Sequence, residues 1–123
     1  MFDVENVQKL PLLRRQAIFT YLHALPQLPV FAVVFGSTAK ETYKEHSDID
    51  ILIVTQEKID AGKAEKEADE LHSMNISTFQ ILYNDFMKEL ILKEDKVIQS
   101  AIETGFPVLN HIYYYEALHH ERI

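Results

Sequence analysis

Apolar residues recur at helical spacing from Pro11 to Leu25, where Ile18, Leu22 and Leu25 share a stripe behind Arg14 and Arg15. Pro11 suits the first turn of that helix, and Pro26 and Pro29 end it. The pattern then changes. Val30 to Phe35 is a continuous valine-rich apolar run stopped by Gly36, as expected of a strand covered on both faces. The segment STAKETYKEHS is short and polar, and Asp48 to Thr55 predicts a second strand. After Gly62, KAEKEADELHSM predicts a surface helix packed through a narrow stripe of Ala64, Ala68 and Leu71. Ile76 to Tyr83 predicts a third strand, with Ile76, Thr78, Gln80 and Leu82 on one side and Ser77, Phe79, Ile81 and Tyr83 on the other. Asn84 is the expected cap of a helix carrying Phe86, Met87, Leu90 and Ile91. Val97, Ile98, Ala101 and Ile102 predict another, closed by Gly105. A late strand, FPVLN, and an aromatic tail, YYYEALHHERI, complete the chain. Strands alternating with helices make this an α/β (α+β) domain in which a small mixed β-sheet is covered by helices.

Length keeps that picture to a single domain over residues 1–123, because a chain of this size supports one core. The longest apolar run, six residues, is far short of the roughly 20 that span a bilayer. The amino terminus carries acids where a secretory leader would be basic, which predicts a cytoplasmic protein. Charge narrows the partners. With 12 Lys and Arg against 19 Asp and Glu, the net charge of −7 argues against general nucleic-acid binding. The absence of cysteine excludes disulfides, thiolate metal sites and a Cys nucleophile.

The chemistry concentrates in VVFGSTAKETYKEHSDIDILIV. A buried strand ends in Gly36-Ser37, ten residues intervene, and Asp48-Ile49-Asp50 opens the next buried strand. Carboxylates two apart on a strand point to one face while Ile49 and Ile51 point to the other. Such a pair needs a cation, and Mg²⁺ is bound by one or two carboxylates together with phosphate oxygens and water. Gly36 lets a phosphate approach the backbone, and Ser37 begins a segment whose free N–H groups suit anionic oxygens. A phosphate cradle beside a metal site points to a nucleoside triphosphate.

The stretch GSTAKETYKEHSDID resembles the signature of the nucleotidyltransferase superfamily related to DNA polymerase beta: a Gly-Ser pair about ten residues before an Asp-x-Asp. Within it the chain is most similar to the minimal nucleotidyltransferases, single catalytic domains that include antitoxins paired with HEPN-domain toxins. The resemblance implies the nucleotidyltransferase fold, and catalytic and metal-binding roles for Asp48 and Asp50 with Mg²⁺ or Mn²⁺. It further implies nucleotide contacts from Gly36, Ser37, Lys40 and Ser47, with ATP or another nucleoside triphosphate as substrate and a HEPN-type toxin chain as partner. Two departures are visible. The third core strand, where the family places another carboxylate, carries Ser77, Thr78 and Gln80 instead, with Asp85 only beyond its end. Glu41 stands where relatives often have Gly. A third acid serves mainly to activate the acceptor hydroxyl. Its absence leaves two readings open, a transferase and a catalytically degenerate module that acts by covering a partner.

The remaining features have plain structural readings. Lys40 is as well explained by surface pairing with Glu41 or Glu45 as by phosphate contact, and KAEKEADE reads as a solvated helix face. Adjacent His119 and His120 point about 100° apart on a helix and do not chelate one ion; His46 lies beside the motif and is a candidate for substrate contact. Tyr113, Tyr114 and Tyr115 cannot all be buried by one element, so the tail is a candidate surface for a partner or a homo-oligomer.

Overall fold

The computed structural model describes residues 8, 10–44 and 47–120, the side chain of His120 excepted. His46, the His120 side chain and the acidic amino-terminal segment lie outside the described residues. The elements run α1 (Leu12–Ala24), β1 (Phe31–Phe35), α2 (Gly36–Lys40), β2 (Ile49–Thr55), α3 (Gly62–His72), β3 (Ile76–Leu82), α4 (Tyr83–Leu92), α5 (Lys96–Thr104), β4 (Phe106–Leu109) and α6 (His111–His120). The sheet order is β3-β2-β1-β4. β1 is antiparallel to both β2 and β4, whereas β2 and β3 are parallel. Parallel neighbours need a crossover, and α3 supplies it. No helix among the described residues is long and apolar enough to cross a membrane.

Both faces of β1 and β2 are covered, which explains their unbroken apolar runs. On one face Ala32, Val34, Ile49, Ile51 and Ile53 pack with Ile18, Tyr21 and Leu22 of α1 and Ala64 and Ala68 of α3. On the other, Phe31, Val33, Leu52 and Val54 pack with Phe86 and Leu90 of α4, Ile98 and Ala101 of α5, and Tyr114 and Ala117 of α6. Each fully buried Val, Leu, Ile or Phe among them contributes about 1.5–3 kcal/mol.

Several local expectations are corrected. Leu71 is 68% exposed, and the stripe on α3 narrows to Ala64 and Ala68. The next inward position is taken by His72, whose Nε2 shares a 2.7 Å hydrogen bond with the Thr20 hydroxyl of α1, and this turns Leu71 outward. Tyr83 begins α4 instead of ending β3, so Asn84 falls inside the first turn and no side chain caps that helix. The side-chain cap is made one helix later, where Asp95 Oδ1 accepts from the N–H groups of Val97 and Ile98. On α4, Ile91 is exposed and Glu89 is buried instead, accepting from the Glu94 N–H and from Gln99 Nε2. Gln99 above all, against the opposing effect of burial and with the backbone N–H groups of Glu94 and Asp95, holds the Glu89 pKa below its ordinary value. Gly105 ends α5 as expected, but with φ −88°. Close approach requires it: a Cβ there would stand 2.5 Å from the Ala101 carbonyl oxygen and 2.6 Å from Val33 Cγ1. Of the three tyrosines, Tyr114 is buried against Phe31, with ring centroids 5.3 Å apart, while Tyr113 and Tyr115 are exposed.

Candidate functional site

The antiparallel register of β1 and β2 sets Phe35 against Asp50, which brings the end of the first apolar run to the start of the second. Gly36 follows Phe35 with φ +68°, a conformation that L side chains rarely adopt. Space makes the same demand, since a Cβ at Gly36 would lie 2.5 Å from Asp50 Oδ2. The Gly-Ser pair and the second carboxylate are therefore in direct apposition.

From Gly36 the chain makes the single helical turn α2, at the start of the short polar segment. Glu41 ends that turn in the left-handed conformation, φ 59°, and the Thr42 N–H donates back to the Ser37 carbonyl over 3.0 Å. Lys40, in the last turn, is exposed; among the described residues the only ion pair is Lys66 with Glu70, so Lys40 does not pair with Glu41, and Glu45 lies outside the described residues. The connection returns through Tyr43 and Lys44 to Ser47. The Ser47 hydroxyl accepts from the Lys44 N–H at 2.8 Å, and the Ser47 N–H donates to the Lys44 carbonyl at 3.0 Å. That hydroxyl thus shapes the turn immediately before Asp48.

Asp48 is exposed and Asp50 half-buried, while Ile49 and Ile51 are fully enclosed on the opposite face, as the two-residue spacing requires. Burial, and then the neighbouring Asp48 charge, push the Asp50 pKa above the ordinary aspartate value. Ser77 stands beside Asp50 in the parallel register of β2 and β3, and its hydroxyl donates to Asp48 Oδ2 over 3.3 Å. A hydroxyl, not a carboxylate, therefore occupies the neighbouring position on this face. Asp85 does not substitute, because α4 begins at the opposite end of β3.

Two carboxylates whose negative charge is strained by proximity and partial burial fit a hard divalent cation. No group of three His, Asp or Glu side chains among the described residues can hold a metal. Asp48 and Asp50 could therefore hold a divalent cation only if ligand oxygens and water completed its coordination.

Arg14 is the residue that periodicity misjudged. It lies on the polar side in a simple reading of α1, yet it is 2% exposed. Its Nη1 donates to Thr38 Oγ1 at 3.0 Å, and its Nη2 donates to the carbonyls of Lys44 and Ser47 at 3.0 and 3.2 Å. The guanidinium also lies 3.9 Å from the centroid of the Tyr43 ring. Burial lowers its pKa and Tyr43 opposes the shift. The available signal was position: Arg14 falls four residues before Ile18, on the buried stripe itself.

An open cleft of about 680 Å³ lies at the other end of the sheet, among Leu28, Val30, Thr55, Tyr83, Asn110 and Tyr113. Five residue steps along β2 separate Thr55 from Asp50, roughly 17 Å at the rise of a strand. The cleft and the Asp48-Asp50 pair are thus at opposite ends of the sheet.

Comparison with known proteins agrees with this geometry. No curated protein sequence matches the chain. Among solved structures, one described as "Crystal structure of the toxin-antitoxin with AMP-PNP" superposes with a TM-score of 0.55 at 14% identity, covering 87% of this chain and 86% of that one. At that identity the likeness is one of fold. The nucleotidyltransferase domain family matches residues 17–108, a span containing the Gly-Ser pair, both aspartates, the first three strands and all of β4 but Leu109. With three quarters of its length so matched, the chain belongs to the nucleotidyltransferase domain family.

Proposed function

We propose that this chain is a minimal nucleotidyltransferase, a single catalytic domain that moves a nucleoside monophosphate, AMP from Mg-ATP, onto a hydroxyl group. The observation that carries the reading is the apposition of Gly36 and Asp50, which sets a close-approach backbone beside a carboxylate pair. In the reaction the acceptor oxygen bonds to the α-phosphorus, the bond from that phosphorus to the bridging oxygen breaks, and pyrophosphate leaves while the hydroxyl loses its proton. A divalent cation, when bound, supplies charge neutralisation for the phosphates. Asp48 and Asp50 hold that cation, Gly36 leaves room for the phosphate chain, Ser37 supplies a hydroxyl and backbone N–H beside it, and exposed Lys40 offers a counter-charge.

The acceptor belongs to a partner chain. A domain this small offers little surface for a second substrate, and its fold neighbour is a toxin-antitoxin structure with AMP-PNP. A HEPN-type toxin is therefore the proposed partner and the cytoplasm the proposed compartment. Incubation with labelled ATP, Mg²⁺ and a HEPN-type chain should label that chain, and Asp48→Asn with Asp50→Asn should abolish the label. Labelling that survives the double substitution rejects the assigned site.

A second reading, a non-catalytic module that binds and covers its partner, is favoured by the Ser77 hydroxyl where a third carboxylate would activate the acceptor. It predicts partner neutralisation that persists in the double aspartate variant. The exposed Ile112, Tyr113 and Tyr115 of α6 are the candidate contact for a partner or a second copy.

A further inference from the structure

Arg14 precedes the residues matched by the family, which begin at 17, so the family pattern gives it no role. Its surroundings do. A buried guanidinium must spend its donors on fixed acceptors, and every contact described for Arg14 falls on the ten residues that join Ser37 to Asp48. Thr38, bonded through Nη1, directly follows Ser37; Ser47, whose carbonyl accepts from Nη2, directly precedes Asp48. Lys44 and Tyr43 hold the middle, one by its carbonyl and the other by its ring. A side chain from α1 thus grips both ends of the connection whose termini are the two halves of the site.

We propose that Arg14 is the positioning residue of the nucleotide site: the β1–β2 register sets Gly36 beside Asp50, and Arg14, clasping the Thr38 and Ser47 ends of the connection, holds the turn that leads out of Ser37 and the residue that leads into Asp48 in one arrangement. This rests on the nucleotide-binding reading above. The role requires arginine. A planar fork reaches a hydroxyl on one side and two carbonyls on the other, and stacks on a ring; a lysine ammonium reaches one such cluster as a point charge and leaves the rest unpaired. Without the clasp Asp50 remains on β2, but the backbone leading out of Ser37 and into Asp48 is free to sample other conformations, so nucleotide must order it on binding.

The test uses the full chain. Affinity for Mg-AMP-PNP is measured by calorimetry for wild type, Arg14→Lys, Thr38→Val and the double variant, with hydrogen exchange followed over residues 38–47 and in the core strands. Ile18→Val, one turn along the same stripe of α1, serves as a control for general destabilisation. Arg14→Lys should weaken nucleotide binding at least about tenfold and speed exchange in the connection while protection in β1 and β2 persists. Thr38→Val should have a smaller effect that does not add to that of Arg14→Lys, because both remove the same bond. Unchanged affinity and unchanged protection in a folded Arg14→Lys protein overturn the proposal, as does an equal loss of affinity in an Ile18→Val protein of matched thermal stability. Failure of wild type itself to bind Mg-AMP-PNP overturns the nucleotide reading, and this role with it.

Discussion

The two ends of the sheet are built from the same strands and differ in what those strands carry as they leave the core. At one end Phe35, Asp50 and Ser77 lead into Gly36, Asp48 and the clasped connection, and polar groups crowd together with their charges uncompensated. At the other, Val30, Thr55 and Asn110 open into a cleft lined by Leu28, Tyr83 and Tyr113. There the backbone is settled: Asn110 Nδ2 donates to the Val30 carbonyl at 3.0 Å, and the Val30 N–H donates to the Val54 carbonyl at 2.8 Å. The first end is small and sets two carboxylates two residues apart on one face, one of them half-buried; the second is roomy, with Glu57 and Glu116 in a lining that is otherwise uncharged. What distinguishes the first end is the burial and crowding of its charge, not volume.

The contrast breaks most completely at Gly36. Replacing Gly36 with Val forces a β-branched residue to positive φ and drives its Cβ onto Asp50, so stability should fall by about 1–3 kcal/mol. Nucleotide affinity should fall on the order of 100-fold, equivalent to about 3 kcal/mol; denaturant titration and calorimetry measure the two effects separately. A Gly36→Val protein that binds Mg-AMP-PNP normally would place the phosphates elsewhere.

Ser77→Asp sharpens the contrast by adding a third carboxylate beside Asp50. It should tighten Mn²⁺ binding by about tenfold, since ligand charge sets the affinity of such sites, and metal-free protein should lose some tenths of a kcal/mol to repulsion. Paramagnetic resonance of bound Mn²⁺ reads the gain, and an unchanged Mn²⁺ isotherm would show that residue 77 lies outside the coordination sphere.

A smaller effect is a slope in pH. The folded-state pKa of Asp50 lies above the ordinary value of 3.8, so the folded chain holds this proton more tightly than the unfolded chain does. Stability of the metal-free protein should therefore decline as pH rises from 3.8 through the raised value, and stay lower above it. Asp50→Asn should remove that component of the slope, measured by urea unfolding across the acidic range. Least of all should Tyr113→Ser matter at the cleft end: less than about 0.5 kcal/mol in stability, with no change in nucleotide affinity.

Periodicity and spacing made much of this legible. The apolar runs of β1 and β2 announced a sheet covered on both faces, and the two-residue step from Asp48 to Asp50 fixed which face would carry charge. What stayed hidden depends on partners distant in sequence. Arg14 looked solvated because its acceptors, a hydroxyl and two carbonyls more than twenty residues away, leave no mark on the local pattern. Leu71 looked buried because Thr20 could not be seen to claim His72. The short turn α2 escaped because five residues give no period to detect. Composition could say that the three tyrosines would divide, but the choice of Tyr114 belongs to Phe31, some eighty residues earlier.

The pairing of Phe35 with Asp50 also bears on how the chain reaches this state. These partners are 15 residues apart in sequence, whereas Asp50 and Ser77 are separated by 27 and Val34 and Phe106 by 72. Loop-closure entropy rises with the logarithm of separation, and topologies rich in distant pairings fold slowly. The β1–β2 hairpin, with Gly36 already turned toward Asp50, is thus the pairing with the smallest entropic barrier, and it can form on a nascent chain before the residues of β4 have been synthesised. The carboxylate end is encoded in the most local part of the topology, and the last strand to arrive completes the sheet around a Gly36–Asp50 contact already drawn.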